Sequence, residues 1–150
     1  MADVNLARPL QSTDRGLAVV ATTRADCSVQ CTAVNCGILE HPATGDEVVG
    51  FVTRGSSLKL RHLRERPWAS VVFRRGWQWV TVEGGTDLIG PHDSYEGIDS
   101  EGLRELRRAV FRAAGGTHED WDTYDRVMDE QDRTVVLIRP TRVYTNPDRG

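Results

Sequence analysis

The sequence predicts a mainly β fold of the α+β class, a small barrel of about six or seven mostly antiparallel strands with helices packed on it. Three features of the 150-residue chain support this prediction. Short runs rich in apolar and β-branched residues recur along the chain, as is typical of strands. Most links between these runs are of hairpin length, which favours antiparallel pairing. The longer helical patterns are confined to one late pair, so we expect a single domain over residues 1–150.

The first two strands are predicted over residues 16–23 and 29–39, after a short helical or irregular lead-in. The first run is mostly apolar, which suits a strand that is covered on both faces. Along the second run the side chains alternate between two faces, as they do in any strand. Gln30, Thr32 and Val34 therefore share one face of the second strand.

A third strand over residues 48–52 leads into a short cationic helix that follows a Gly/Ser-rich turn and ends before Pro67. Ser56 and Ser57 are both candidates for its N-cap, because a serine hydroxyl accepts a hydrogen bond from a free helix N–H. Further strands are predicted over residues 68–73, 77–83, 84–90 and 134–139.

The start of this short helix is the strongest candidate for a binding site. Free backbone N–H groups and the partial positive charge of a helix N-terminus attract anions. Arg54, Ser56, Ser57 and Lys59 cluster there and would together form a seat for a phosphate. Lys59 is the one lysine of the chain, against eighteen arginines, which indicates a role that a planar guanidinium cannot fill. A capped surface helix with a solvated basic face is the alternative interpretation.

Trp77 and Trp79 share one face of the strand over residues 77–83 and need a surface to pack against. Packing in the core is the favoured interpretation of each. The alternative is a place in an interface, where tryptophan is common because its ring is apolar and its indole N–H is polar.

A pair of helices is predicted before the last strand. Ser100 and Thr117 are the candidate N-caps, and glycines at 115 and 116 end the first helix. The inner stripes are Leu103, Leu106, Val110 and Ala113 or Ala114 on the first helix, and Trp121, Tyr124, Val127 and Met128 on the second.

Composition argues against several other classes of protein. A net charge of −3 gives no general attraction for nucleic acid. No apolar run approaches the length of a membrane span, and the start of the chain lacks the pattern of a signal peptide, so we expect a cytoplasmic protein. Cys27, Cys31 and Cys36 are odd in number and lack the spacing of a metal site, so we expect free thiols and no metal.

The order of these elements resembles the split-β-barrel flavin and deazaflavin oxidoreductases, the pyridoxamine-phosphate-oxidase-like superfamily. The stretches that carry the resemblance are residues 21–30, 57–67, 76–84 and 117–124. The last of them looks like the branch that uses the deazaflavin coenzyme F420 in place of FMN. Within that branch the chain is similar to dehydrotetracycline reductases, which tailor polyketide antibiotics.

This resemblance implies a homodimer whose cofactor lies in a groove between the subunits. The site residues that it implies are Lys59, Ser57 and the preceding turn at the phosphate, Gln30, Thr32 and Val34 beneath the tricyclic ring, and Trp77 or Trp79 from the subunit interface. The chain departs from the family at two places. The first hairpin turn has Asp26-Cys27 where relatives have Asp-Gly, so this turn takes another shape or accepts strain. Ser57 replaces a basic residue of some relatives, which leaves Arg54 as the second charge.

The resemblance leads to one main hypothesis, an F420-dependent reductase that transfers a hydride to an electron-poor double bond of a small aromatic or polycyclic substrate. An FMN-dependent oxidoreductase and a non-catalytic carrier of flavin, deazaflavin or haem are the alternatives. The sequence holds no catalytic triad or carboxylate pair, so the catalytic residues stay unassigned. Tyr124, Tyr144 and a bound water are alternative proton donors.

Overall fold

Eight antiparallel strands build the structure, a computed structural model that describes residues 2–147. The strands are β1 Leu17–Thr23, β2 Val29–Asn35, β3 Gly37–Glu40, β4 Glu47–Thr53, β5 Trp68–Arg75, β6 Gln78–Ile89, β7 Thr134–Ile138 and β8 Arg142–Thr145. Their order in the sheet is β2-β1-β5-β6-β7-β4-β3, and β8 pairs with β6. The predicted α+β class with antiparallel strands is confirmed, and the strands outnumber the six or seven expected.

The helices of the described chain are α1 Arg8–Gln11, α2 Leu58–Glu65, α3 Ser100–Ala113 and α4 Trp121–Glu130, with short 3-10 turns at Val4–Ala7 and Asp14–Gly16. Between residues 2 and 147, no helix is both long and apolar enough to cross a bilayer.

The sheet closes into a barrel through a bend at Cys36. The run predicted as one strand over residues 29–39 divides there into β2, which pairs with β1, and β3, which pairs with β4. The two ends of the sheet order are therefore consecutive segments of the chain. At the bend, the Cys36 N–H donates to the carbonyl of Gly16 at 2.9 Å. Gly37 then lies so close to α3 that a Cβ atom would come within 2.5 Å of the Ala113 Cβ. One continuous strand was the wrong prediction, because side-chain alternation does not report such a bend.

The strands predicted over residues 77–83 and 84–90 form one long strand, β6. It pairs with β5 and β8 along its first part and with β7 along its second part. A change of partner strand is hard to predict from sequence, because the backbone stays extended where the partner changes. The additional strand β8 lies in the stretch after Pro140, which carried no strand prediction.

Two apolar clusters hold the fold together. Inside the barrel, Leu60 and Leu63 of α2 pack among strand residues such as Phe51 and Phe73. Outside it, α3 covers the sheet, with Leu106 among the buried side chains. β7 contributes side chains to both clusters. Its successive side chains point to opposite faces of the sheet, and all five of its residues are buried. The apolar stripe predicted for α3 is confirmed.

Carboxylates cap the two late helices. The Asp99 side chain accepts from the Gly102 N–H at 2.8 Å, and the Asp120 side chain accepts from the Thr123 N–H at 3.1 Å. The predicted caps Ser100 and Thr117 are therefore wrong. In each case an aspartate lay close by, and its carboxylate is an equally strong N-cap acceptor.

Candidate functional site

The start of α2 has the predicted local structure. Ser57 is the N-cap, with extended backbone angles, and its hydroxyl accepts from the Leu60 N–H at 3.3 Å. Ser56, the other candidate cap, is exposed in the turn before it. Leu60 and Leu63 anchor the helix in the barrel, so its first turn is held firmly at the barrel surface.

The turn before α2 packs against a second turn, which follows α4. Gly55 donates its N–H to the carbonyl of Gln131 at 3.2 Å. A Cβ atom at Gly55 would lie 2.7 Å from the Asp132 Cβ, so only glycine allows this approach. The contact brings the residue after Asp132, Arg133, to the start of α2.

Arg54, Lys59 and Arg133 form a cation cluster at this junction. Partial burial lowers the pKa of Lys59, and the charge of Arg133 lowers it further. Burial also lowers the pKa of Arg133, as does the charge of Arg54. Among residues 2–147, no carboxylate forms an ion pair with any of the three. Like charges held together without a counterion favour an anionic ligand.

Arg133 was not predicted from the sequence, and its backbone is held in place by Arg107. The Arg107 side chain is 1% exposed, donates from Nε to the Arg133 carbonyl at 2.8 Å and donates from Nη1 to Asp129 at 2.7 Å. Partial burial opposes ionisation of Asp129, but the hydrogen bonds from Arg107 and Arg104 outweigh it and lower the pKa of this carboxyl. The only sequence signal was an arginine beside the apolar stripe of α3.

The side chains of β2 alternate between two faces, as predicted. Gln30, Thr32 and Val34 are half-buried, whereas the residues between them are exposed. The Gln30 Oε1 and Thr32 Oγ1 atoms are buried and have no hydrogen-bond partner within the described chain. Such atoms cost free energy unless a ligand or water satisfies them. On the neighbouring strand, Thr22 pairs with Gln30 and its hydroxyl lies 3.0 Å from Nδ1 of His62 on α2.

A cavity of about 320 Å³ joins this strand to the cation cluster. Its lining residues are Ala33, Val34, Asn35, Val52, Val110, Phe111, Ala114, Tyr124, Met128 and Arg133. The predicted Val34 and the missed Arg133 therefore lie on one cavity. Together, the unpaired cations and the unpaired polar atoms of β2 fit a flat cofactor that carries a phosphate.

The two tyrosines considered as proton donors are both engaged within the protein. The Tyr124 hydroxyl is buried and donates to the Arg107 carbonyl at 3.2 Å, and burial raises the pKa of Tyr124. The Tyr144 hydroxyl donates to Glu83 at 3.2 Å. Tyr124 is one of the residues that line the cavity, and Tyr144 is not.

Neither of the two predicted tryptophans lines this cavity. Trp77 is 86% exposed at the turn between β5 and β6, so the core interpretation is wrong for it. Trp79 is half-buried and packs edge-on against Tyr144, with ring centroids 6.2 Å apart. Hydrophobicity alone cannot separate a core tryptophan from an exposed one.

The outer face of the sheet is rich in small and apolar side chains. Val19, Ala33 and Val72 lie in one cross-strand row, and Ala21 and Cys31 lie in the next. Val19 is 44% exposed, as is Leu17 on the same strand. All three cysteines are free thiols, with Cys36 buried in the barrel. Within residues 2–147, no group of metal-binding side chains is present.

Comparison with known proteins defines the fold. No protein-family model matches the chain. A conserved hypothetical protein from Mycobacterium tuberculosis is similar over 99% of this chain and 86% of its own, at a TM-score of 0.67 and 20% identity. An F420 reductase is similar over 85% of this chain and 88% of its own, at 0.58 and 18%. A pyridoxamine 5'-phosphate oxidase-related, FMN-binding protein from Nostoc punctiforme covers 100% and 87%, at 0.63 and 14%. The chain therefore has the split-barrel fold of pyridoxamine-phosphate-oxidase-like flavin-binding proteins.

Proposed function

We propose that the protein is an F420-dependent reductase that acts on an electron-poor double bond of a small aromatic or polycyclic substrate. The observation that carries the proposal is the unneutralised cluster of Arg54, Lys59 and Arg133 beside the unpaired polar atoms of β2. The fold likeness to an F420 reductase supports it. The narrower proposal, a tailoring reductase of tetracycline-like polyketides, rests on the sequence resemblance alone.

The residues of this chain would bind and orient the cofactor. Arg54, Ser56, Ser57 and Lys59 would hold its phosphate, with the free N–H groups of the α2 start adding fixed partial charge. The inner face of β2 would support the ring, where Gln30 Oε1 can accept a hydrogen bond and the Thr32 hydroxyl can donate one. When bound, a reduced deazaflavin supplies a hydride to the double bond, and a proton from water completes the reduction.

The proposal includes a homodimer formed through the outer face of the sheet. That face exposes Leu17, Val19 and Val29, which are 44%, 44% and 54% exposed. Exposed apolar surface of this kind is typical of an interface. The exposed Trp77 would then be free to reach the partner's groove. Light scattering at micromolar concentration should give the mass of two chains, and a monomer would remove the interfacial part of the proposal.

FMN is the second candidate cofactor, because the cation cluster would hold either phosphate and an FMN-binding protein shares the fold. The test is to incubate separate samples of the pure protein with F420, FMN and haem and to identify the retained compound by absorbance and mass. Retention of FMN with no affinity for F420 would reject the first proposal. If F420 is retained, its reduced form should be oxidised by at least one acceptor from a panel of polycyclic compounds, and no turnover would favour a carrier.

A further inference from the structure

We infer that the cavity between β2 and the late helices binds the substrate, and that this substrate is an aromatic carboxylate whose anionic group pairs with Arg133. The inference rests on the proposed function, because it names the compound that would lie beside the cofactor ring. The cavity includes Val34, which lies on the strand face that would support the ring.

The lining of the cavity selects an apolar, flat molecule. Val52, Val110, Phe111 and Met128 contribute apolar side chains, and Tyr124 contributes only its ring because its hydroxyl is bound to the Arg107 carbonyl. A volume of about 320 Å³ lies at the lower end of the range for small-molecule sites. Such a space suits a molecule of two fused rings.

Arg133 supplies the charge selectivity. Of the described residues that line the cavity, it alone carries a charge. Its Nε donates to Gln131 at 2.8 Å, and within residues 2–147 no hydrogen bond uses its two terminal nitrogens. A guanidinium with free terminal nitrogens recognises a planar carboxylate well. Because Arg133 is partly desolvated, a neutral ligand would leave its charge without a partner.

A neighbouring hollow makes room for a longer ring system. This hollow has a volume of about 230 Å³ and shares Asn35, Phe111 and Ala114 with the cavity. It continues along the end of α3 to Arg15. A polycyclic substrate could therefore extend over Phe111 while its carboxylate stays at Arg133.

The test compares 2-naphthoate with its neutral analogue 2-naphthamide by calorimetric titration of the cofactor-free protein. Naphthoate should bind about 10- to 100-fold more tightly, which is the contribution of a charge-assisted hydrogen bond. Arg133→Gln should remove this preference, whereas Arg133→Lys should retain part of it. Arg112→Gln is the matched control, because Arg112 lies over the Trp121 ring at 4.6 Å and does not line the cavity.

Equal affinity for the two compounds would overturn the inference. A preference that survives in Arg133→Gln but disappears in Lys59→Ala or Arg15→Gln would also overturn it, because the carboxylate would then lie elsewhere. Circular dichroism of each variant separates loss of binding from loss of fold. The titration contains no cofactor, so failure of the proposed function would appear instead as loss of F420 binding or turnover.

Discussion

The two sides of the cation cluster are built in different ways. On one side, Arg54 and Lys59 are positioned by a strand, a turn and a capped helix start that lie within a few residues of one another. On the other side, Arg133 is held by Arg107, 26 positions earlier in the chain, through a bond of 2.8 Å. The first side is a local motif, whereas the second forms only when α3, α4 and β7 come together. The local side can therefore be recognised in the sequence, whereas the assembled side exists only in the folded chain.

The largest expected effect comes from breaking the assembled side with Arg107→Met. This change removes the bonds to Asp129 and to the Arg133 carbonyl. Hydrogen bonds to charged groups contribute about 1.5–3 kcal/mol each, so the loss of both should lower the free energy of unfolding by at least about 3 kcal/mol. Urea denaturation measures the change.

The control for this variant is Arg104→Met. Arg104 bonds the same carboxylate, with Nη2 at 2.8 Å from Asp129 Oδ2, but its side chain is 45% exposed, against 1% for Arg107. Exposed ion pairs contribute little, so the loss should be much smaller than that for Arg107→Met. Equal losses would show that Arg107 has no special part in assembling the site.

The next largest effect is expected from Lys59→Ala, which changes the local side of the cation cluster. If Lys59 contacts the cofactor phosphate, the variant should bind F420 about 10- to 100-fold more weakly. Lys59→Arg should recover only part of the affinity. The guanidinium keeps the positive charge, but its planar fork differs in shape from the ammonium group. Stability should not fall, since Lys59 lies among like charges and partial burial lowers its pKa. Fluorescence titration of the three proteins measures the affinities, and unchanged binding by Lys59→Ala would leave the residue as part of a solvated helix face.

The same contrast explains how much of the structure the sequence could predict. The antiparallel strands, the alternation along β2 and a serine cap on α2, at Ser56 or Ser57, depend on neighbours in the sequence and were predicted. The bend at Cys36 and the strand β8 were not, because each depends on which segment lies alongside. The exposure of Trp77 likewise depends on where its turn lies in the folded chain.

For the site, the sequence located one half of the cation cluster. Arg54 and Lys59 stood out because they flank a helix start. Arg133 lies just before a buried strand, where an arginine is unremarkable, and its importance arises from contacts made by Gly55 and Arg107. No pattern of spacing along the chain reports those contacts.

A smaller effect is expected from Gly55→Ala, which changes the contact between the turn before α2 and the turn after α4. The added Cβ would lie 2.7 Å from the Asp132 Cβ, so the two turns must separate. Overpacking of this kind costs about 1–3 kcal/mol, and F420 affinity should fall because the turn that carries Arg54 and Ser56, two of the proposed phosphate-binding residues, is displaced. Gly45→Ala is the control, since Gly45 has a positive φ of 74° and open space around it. It should lose stability through backbone strain but keep its affinity for F420. The same affinity in both variants would show that the contact between the two turns does not matter for binding.

The smallest expected effect concerns Cys27, whose backbone conformation is one that residues other than glycine disfavour. Cys27 has a φ of +71°, in the left-handed region, which costs a residue with a Cβ about 1–2 kcal/mol. Glycine removes that cost but loses about 0.5–1 kcal/mol more through chain entropy. We therefore expect Cys27→Gly to raise the free energy of unfolding by about 0.5 kcal/mol. Cys31→Gly, in the extended strand β2, lacks the compensating gain and should lower it. Thermal unfolding in reducing buffer measures both. If both variants lose the same free energy of unfolding, the turn holds Cys27 without strain. The positive φ of Cys27 would then cost the protein nothing.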